Sequence, residues 1–275
     1  MALILADLLK ENYYELKDQQ CIDRVVNFVI EVETIKFYDI DFIKDMTKVS
    51  SLILKDHPKL LDDFKERIFN YHLEGIEVCK DAPDELRYDK IITHLHTHAG
   101  LIAKLKYDET GDIEWLIKNH ELNLDGGDLA FKHDHVHAAN SYRFSAYSAH
   151  SLYYRTKDLK WMKKAYELVM RSGDIGNGDL KYKATMYSNA ADYAEIIFKE
   201  INDISWGKLW FDSCLQGAKY FKFIEMYQSQ SHMLRIASVV SKKLFKITED
   251  EKWDLNHTNY KQQSRDIYDR IDNCG

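Results

Sequence analysis

Two alternating histidine triplets are the residues of this chain whose types and spacing best suit chemistry. They are His94-Leu95-His96-Thr97-His98 and His133-Asp134-His135-Val136-His137. On a helix, residues four apart share a face, so the outer histidines of each triplet form a pair. Imidazole and carboxylate groups are ligands of zinc and related metals. The sequence therefore offers a divalent-metal site made of His94, His98, His133, Asp134 and His137.

A metal held by these residues would suit a metal-dependent hydrolase, in which an open position on the metal activates water. Such a site needs three convergent ligands, and the sequence shows only pairs. The alternative is that the histidines lie on the surface or near helix starts and bind no cofactor. We favour this alternative and keep the hydrolase, with a metal such as zinc, as the second hypothesis.

Other catalytic motifs are absent from the sequence. It contains no glycine-rich phosphate loop, no Gly-x-Ser-x-Gly elbow and no His-Glu-x-x-His pattern. The four cysteines are scattered without a Cys-x-x-Cys pair, which is typical of reduced thiols in a cytoplasmic protein. A non-enzymatic, cytoplasmic protein is therefore the first expectation.

The elements that must position these residues are set by an internal repeat. Four of the five tryptophans recur about every 46 residues, namely Trp115, Trp161, Trp206 and Trp253. A period of this length is typical of proteins that stack one structural unit on copies of itself. We expect the tryptophans to anchor the core of these units.

Each repeat carries a packing face with a spacing of four residues. Small side chains lie sixteen and twelve positions before each tryptophan, and an aromatic ring lies eight positions before it. The small residues are Ala99, Ser145, Ala190, Ala237, Ala103, Ala149, Ala194 and Ser241, and the aromatic ones are Tyr107, Tyr153, Phe198 and Phe245. Steps of four follow one face of a helix. Small side chains there predict the close approach of a second helix.

An aspartate three positions before each tryptophan predicts the start of that second helix. These residues are Asp112, Asp158, Asp203 and Asp250. Their carboxylates can accept the free backbone N–H groups of a helical first turn. Each unit thus comprises a helix, a turn of about four residues, a second helix and a connector. We place the units at 84–124, 134–172, 180–223 and 228–271, with glycine-containing connectors at 125–128 and 173–179.

The rest of the chain bounds the architecture. Residues 1–83 lack a clear repeat, and we expect helical capping hairpins there, followed by one continuous domain of four tandem helix-turn-helix repeats at 84–275.

No apolar run approaches the ~18 residues that span a bilayer, and the start does not resemble a signal peptide. The net charge of −7, without a basic block, disfavours nucleic-acid binding.

The helix junctions at 107–118 and 153–165 resemble those of tetratricopeptide repeats. The resemblance implies an all-α fold, namely a right-handed superhelical solenoid of antiparallel helix pairs. The repeat here is about 46 residues long, whereas that family has a repeat of ~34 residues. It also implies that the first helices line a concave groove for a peptide. The same turn is similar to that of six-fold alpha/alpha-barrel enzymes, but their long cleft-forming loops are missing here. The His133-Asp134 dipeptide is similar to that of the HD phosphohydrolases.

The side of the first helices opposite the packing face predicts the binding groove. Its residues are Lys104, Arg143, Tyr147, His150, Tyr154, Asp192, Glu195, Lys199, Arg235 and Lys242. Basic side chains outnumber acidic ones, and basic groups clamp carboxylates while tyrosine supplies contact area. We therefore expect an interaction module or scaffold that binds a protein or an acidic peptide. The alternative is a merely solvated helix face, and exposed solenoid ends would also suit a homodimer.

Overall fold

The structure is a computed structural model that describes residues 62–80, 85–176 and 178–274. This part of the chain forms nine helices and contains no strand. The helices are α1 (Asp62–Lys80), α2 (Glu85–Thr110), α3 (Ile113–Ala130), α4 (His135–Thr156), α5 (Leu159–Ile175), α6 (Leu180–Ile201), α7 (Ile204–Phe223), α8 (Tyr227–Thr248) and α9 (Glu251–Cys274). Apart from α1, the expected capping hairpins at 1–83 lie outside the described residues.

The chain divides into two compact units, Met1–Asp134 and His135–Gly275. In the first unit, α2 packs against both α1 and α3. In the second unit, each helix from α4 to α9 packs against the next helix of the chain. Short turns between packed neighbours make the members of each pair antiparallel. The prediction of an all-helical fold built from consecutive helix pairs is confirmed.

The packing face predicted from the repeat is buried as expected. All eight small side chains at the first two positions have an exposed fraction of 0%. The rings of Tyr107, Tyr153 and Phe198 are also buried, and that of Phe245 is half-buried. Small residues at these positions allow the backbones of two helices to approach closely, and the ring fills the space beyond them.

The turn inside each helix pair is shorter than predicted, with two residues between the helices instead of about four. Its second residue is the predicted aspartate, whose carboxylate accepts the backbone N–H two residues further on, at 2.8–3.0 Å in all four copies. Its first residue is left-handed in every copy: Gly111, Lys157, Asn202 and Glu249. This conformation reverses the chain within one residue, so no longer turn is needed.

A threonine strengthens three of the four turns. Thr110, Thr156 and Thr248 each donate a hydrogen bond from Oγ1 to the carbonyl four residues earlier, at 2.7–2.8 Å. Each Oγ1 also accepts the backbone N–H of the capping aspartate, at 3.1–3.3 Å. The recurring threonine and aspartate thus satisfy backbone groups that the two helix ends leave open.

The first predicted connector is wrong, because residues 125–128 lie inside α3. Gly126 faces α2, where a Cβ atom would lie only 3.0 Å from the Cβ of His96. Gly173, assigned to the second connector, likewise lies in α5, and a Cβ there would lie 3.1 Å from the Cβ of Met186. These glycines permit close helix packing and do not form turns. The second connector begins only after Ile175.

The repeated tryptophans connect successive second helices. Within the units, Trp115 packs on Phe69, Trp206 on Tyr166, and Trp253 on Phe211. All three ring pairs are edge-to-face, with centroids 5.1 Å apart. Trp253 is buried as predicted for a core anchor, whereas Trp115, Trp161 and Trp206 are only half-buried. Trp115, Trp206 and Trp253 therefore contact the preceding second helix of their own unit.

Candidate peptide-binding surface and histidine clusters

Nine of the ten predicted groove residues lie on the first helices of the His135–Gly275 unit, α4, α6 and α8. Side chains link these three helices directly. Tyr153 on α4 donates a hydrogen bond to Glu200 on α6 at 3.1 Å, and Ser188 on α6 contacts the sulfur of Met233 on α8 at 3.7 Å. Lys104 lies on α2 in the other unit, where it pairs with Asp108 at 2.5 Å.

An aromatic cluster occupies the α4–α6 part of this surface, and we define it as Tyr147, His150, Tyr154 and Tyr193. The ring of His150 stacks on Tyr193 at 4.7 Å and meets Tyr154 edge-on at 4.8 Å. Tyr193 is 5% exposed, whereas Tyr147 and Tyr154 are 38% and 50% exposed. Asn189 on α6 donates a hydrogen bond to the Tyr147 hydroxyl at 3.3 Å. The cluster thus has a buried base and an exposed rim.

Burial dominates the titration of the aromatic cluster. It lowers the pKa of His150, so the neutral imidazole is favoured. It raises the pKa of the Tyr193 phenol, and the nearby Tyr147, Asp192 and Tyr154 raise that pKa further. His150 and Tyr193 are therefore neutral at physiological pH, which suits the cluster to apolar and stacking contacts.

Arg143 lies one helical turn from Tyr147 on α4, so the two share a face. Its guanidinium lies 4.9 Å from the centroid of the Phe144 ring and 5.3 Å from that of Tyr182. The Tyr182 hydroxyl is itself fixed by a 2.9 Å hydrogen bond to the carbonyl of Ala139. Among the described residues, the Nε atom of Arg143 is buried without a hydrogen-bond partner. The cation thus lies against two rings, and among the described residues no carboxylate pairs with it.

The acidic members of the surface lie on α6 beside basic ones. Glu195 pairs with Lys199 at 2.6 Å. Burial raises the pKa of Asp192, and the charge of Glu195 raises it further, while His232 on α8 opposes the shift. The guanidinium of Arg235 lies 3.3 Å from the Nδ1 atom of His232. Lys242 is exposed about two helical turns beyond Arg235 on α8. The charges of Asp192 on α6 and His232 on α8 therefore lie close enough to interact.

The histidine triplets differ in burial. On α2, His94 is exposed and His98 is half-buried, with its ring centroid 6.1 Å from that of His72 on α1. His133 and Asp134 follow α3, and His137 lies in the first turn of α4. Among the described residues, no group of three or more His, Cys, Asp or Glu side chains is placed to hold a metal ion. The metal-dependent hydrolase therefore stays an untested hypothesis with no assembled ligand set in this part of the chain.

The middle histidine of the first triplet has a different environment. His96 is 5% exposed and lines an open cavity of about 610 Å³ between α1, α2 and α3. Burial lowers its pKa to about 4, with Lys80 lowering it further and Glu77 opposing. His72 is fully buried, and burial lowers its pKa to about 4 against the effect of a hydrogen bond to the carbonyl of Ile68. Both imidazoles are neutral at physiological pH.

The chain shows distant structural similarity to known proteins. No family model matches it, and no curated protein matches it. A crystal structure of BtubC (BKLC) from P. vanneervenii is similar, with 12% sequence identity, 91% of each chain covered and a TM-score of 0.47. A circular tandem repeat protein with novel repeat topology shares 12% identity over 92% of this chain and 65% of its own, with a TM-score of 0.39. Likenesses this distant carry no conclusion about function.

The helices define the class of protein to which the chain belongs. It is a helical-repeat protein, without assignment to the tetratricopeptide family. Repeats of this kind form structural and interaction modules, because stacked helix pairs present long rows of side chains. In the described part of the chain, every helix is too short or too polar to cross a membrane.

Proposed function

We propose that the His135–Gly275 unit is an interaction module that binds an acidic peptide across α4, α6 and α8. The observation that supports this most is the aromatic cluster beside Arg143. Tyr147 and Tyr154 expose their rings, and Tyr154 contacts the imidazole of His150. The neighbouring guanidinium of Arg143 lies against two rings, and no carboxylate among the described residues pairs with it. Rigid aromatic anchors next to an available cation are typical of binding hot spots.

The charges of the surface favour an acidic partner. Of the nine groove residues in this unit, four are Lys or Arg and two are acidic, and Glu195 is already paired with Lys199. Arg143, Arg235 and Lys242 can pair with carboxylates of the peptide, while the aromatic cluster receives an apolar side chain. Long-range attraction from exposed cations would also raise the association rate at low salt.

A pair of labelled peptides tests the proposal by fluorescence anisotropy. One is rich in Asp and Glu with a leucine at its centre, and the other has Lys in place of every acidic residue. We expect the acidic peptide to bind more tightly and its affinity to fall as salt rises. Equal affinity for the two peptides would contradict the proposal.

Two variants locate the binding surface. Tyr154→Ala should weaken the acidic peptide about tenfold, since truncation of an aromatic hot spot costs about 1–2 kcal/mol. Tyr268→Ala is the matched control, because Tyr268 is a similarly exposed tyrosine (41%) on α9. Combined replacement of Arg143 and Arg235 by Gln should abolish the preference for the acidic peptide. If Tyr268→Ala weakens binding as much as Tyr154→Ala, the surface is assigned wrongly.

A further inference from the structure

A cavity of about 730 Å³ lies at the carboxyl end of α9, on a different part of the unit from the aromatic cluster. Side chains from the end of α7, the start of α8 and the last turns of α9 line it. They are Lys222, Tyr227, Gln230, Gln263, Asp266, Ile267, Arg270 and Ile271. A volume of this size is within the ~300–1,000 Å³ typical of small-molecule sites.

The cavity exists because α9 extends past the start of α8. Ser231 on α8 and Ser264 on α9 fix the two helices together through reciprocal hydrogen bonds from each Oγ to the carbonyl of the other residue, at 2.8 and 3.0 Å. From this point α8 continues back for only about one turn, to Tyr227, whereas α9 continues forward for nearly three turns. The last turns of α9 therefore lie beside the end of α7 without α8 between them, and this leaves the cavity open.

The lining joins two cations to an apolar surface. Lys222 projects from α7 and Arg270 from α9, and within the described residues neither forms an ion pair. Asp266, the one carboxylate among the described lining residues, accepts a 2.7 Å hydrogen bond from Gln262. Ile267 and Ile271 are half-buried on the same side of α9. The described lining residues thus carry one excess positive charge beside an aliphatic surface.

The carboxamides of Gln230 and Gln263 provide orienting polar groups. Gln263 donates from Nε2 to Asn259 at 2.9 Å, and Gln230 is half-buried in the first turn of α8. A few fixed polar groups on an apolar lining are characteristic of sites that select one ligand orientation.

We propose that this cavity binds an organic anion in which a carboxylate is joined to an apolar body. Arg270 engages the carboxylate through its paired N–H groups, Lys222 adds a second charge, and the isoleucine side chains cover the apolar body. A peptide C terminus with an apolar last residue and a free fatty acid both have this chemistry. The proposal is independent of the peptide surface on α4, α6 and α8.

Three probes test the proposal by calorimetric titration into the full-length protein: N-acetyl-leucine, decanoate and N-acetyl-leucinamide. We expect the carboxylates to bind and the neutral amide to bind at least about tenfold more weakly, because it lacks the charge-assisted hydrogen bonds. Preference for N-acetyl-leucine identifies a peptide C terminus, and preference for decanoate identifies a free acid. Equal binding of the amide, or binding of neither carboxylate, overturns the proposal.

Substitutions assign the binding to the cavity. Arg270→Gln and Lys222→Gln should each weaken the preferred carboxylate by about tenfold. Arg265→Gln is the matched control, since Arg265 is an exposed arginine on the same helix that does not line the cavity. All three side chains are exposed, and unchanged helical circular dichroism verifies folding. An equal loss of affinity in Arg265→Gln contradicts the assignment.

Discussion

The imidazole of His150 lies flat on the phenol ring of Tyr193, with ring centroids 4.7 Å apart and ring planes 26° apart. This stack joins α4 to α6, and Tyr154 meets the same imidazole edge-on. Because Tyr193 is buried, it holds the ring of His150 in place, and His150 in turn contacts Tyr154. A surface that is already ordered loses less entropy when a partner binds.

Replacement of Tyr193 by Leu should therefore weaken the acidic peptide while the fold is retained. Leucine keeps the position apolar but removes the stack, which is worth about 0.5–1.5 kcal/mol. We expect a loss of affinity of severalfold in the anisotropy assay and a modest decrease in unfolding free energy. Tyr193→Phe keeps the ring and should bind normally. A defect in Tyr193→Phe equal to that in Tyr193→Leu would show that the hydroxyl matters and the stack does not.

The edge-to-face pair of Phe211 and Trp253 should contribute directly to stability. A double-mutant cycle with Phe211→Leu and Trp253→Leu, followed by urea unfolding, should yield a coupling energy of about 0.5–1.5 kcal/mol. Leu255→Ala provides a control, since this neighbouring side chain is 71% exposed and its loss should change stability by less than about 0.5 kcal/mol. Additive single effects at Phe211 and Trp253 would refute the coupling.

The left-handed residue offers a stabilising substitution in the three turns where it is not glycine. Glu249 has a φ of 56°, a conformation that costs an L-residue about 1–2 kcal/mol but glycine very little. Glu249→Gly should raise the unfolding free energy by about 0.5 kcal/mol after the added chain entropy of glycine is subtracted. The converse change, Gly111→Ala, should lower it, because Gly111 has a φ of 69°. Thermal melts of both variants check the signs, and a destabilised Glu249→Gly would contradict the account.

Acid should destabilise the Met1–Asp134 unit through His72 and His96. Burial lowers the pKa of each to about 4, below the ~6.5 of an unfolded histidine. Between these values the unfolded chain binds more protons, so this stability is complete above pH ~6.5 and is lost as pH falls towards 4. Each residue accounts for up to roughly 3 kcal/mol.

The variant His72→Leu tests this origin of the acid sensitivity. Leucine does not titrate, so the decrease in unfolding free energy between pH 7 and pH 4.5 should become smaller. Urea titrations at a series of pH values measure the slope. An unchanged slope in His72→Leu would exclude His72 as its source.

The repeat predicted the packing face because small and aromatic side chains at intervals of four report burial directly. Ala190 and Ala194 lie where the sequence placed them, and Asp203 begins its helix as expected. Gly126 was misassigned because turns and close helix contacts both favour the absence of a Cβ atom. Only the structure distinguishes these two uses of glycine.

The sequence predicted most residues of the aromatic cluster but not the buried Tyr193. Tyr147, His150 and Tyr154 were identified from exposed positions along α4. Tyr193 was missed because its own position faces inward, while its long side chain reaches His150 on the neighbouring helix. Contacts between repeats depend on side-chain direction, which a column of aligned residues does not record.

Two kinds of contact determine the order in which the hairpins of the His135–Gly275 unit unfold. Each turn is specified by its own local hydrogen bonds, whereas the tryptophan contacts, such as that of Trp253 with Phe211, connect one hairpin to the preceding one. A linear chain of such nearest-neighbour couplings loses structure from its ends inward. Among the described hairpins of this unit, α8–α9 packs on one neighbouring hairpin, whereas α6–α7 packs on two. The α8–α9 hairpin should therefore exchange its amide protons before α6 and α7, and its loss should leave the hairpins before it folded.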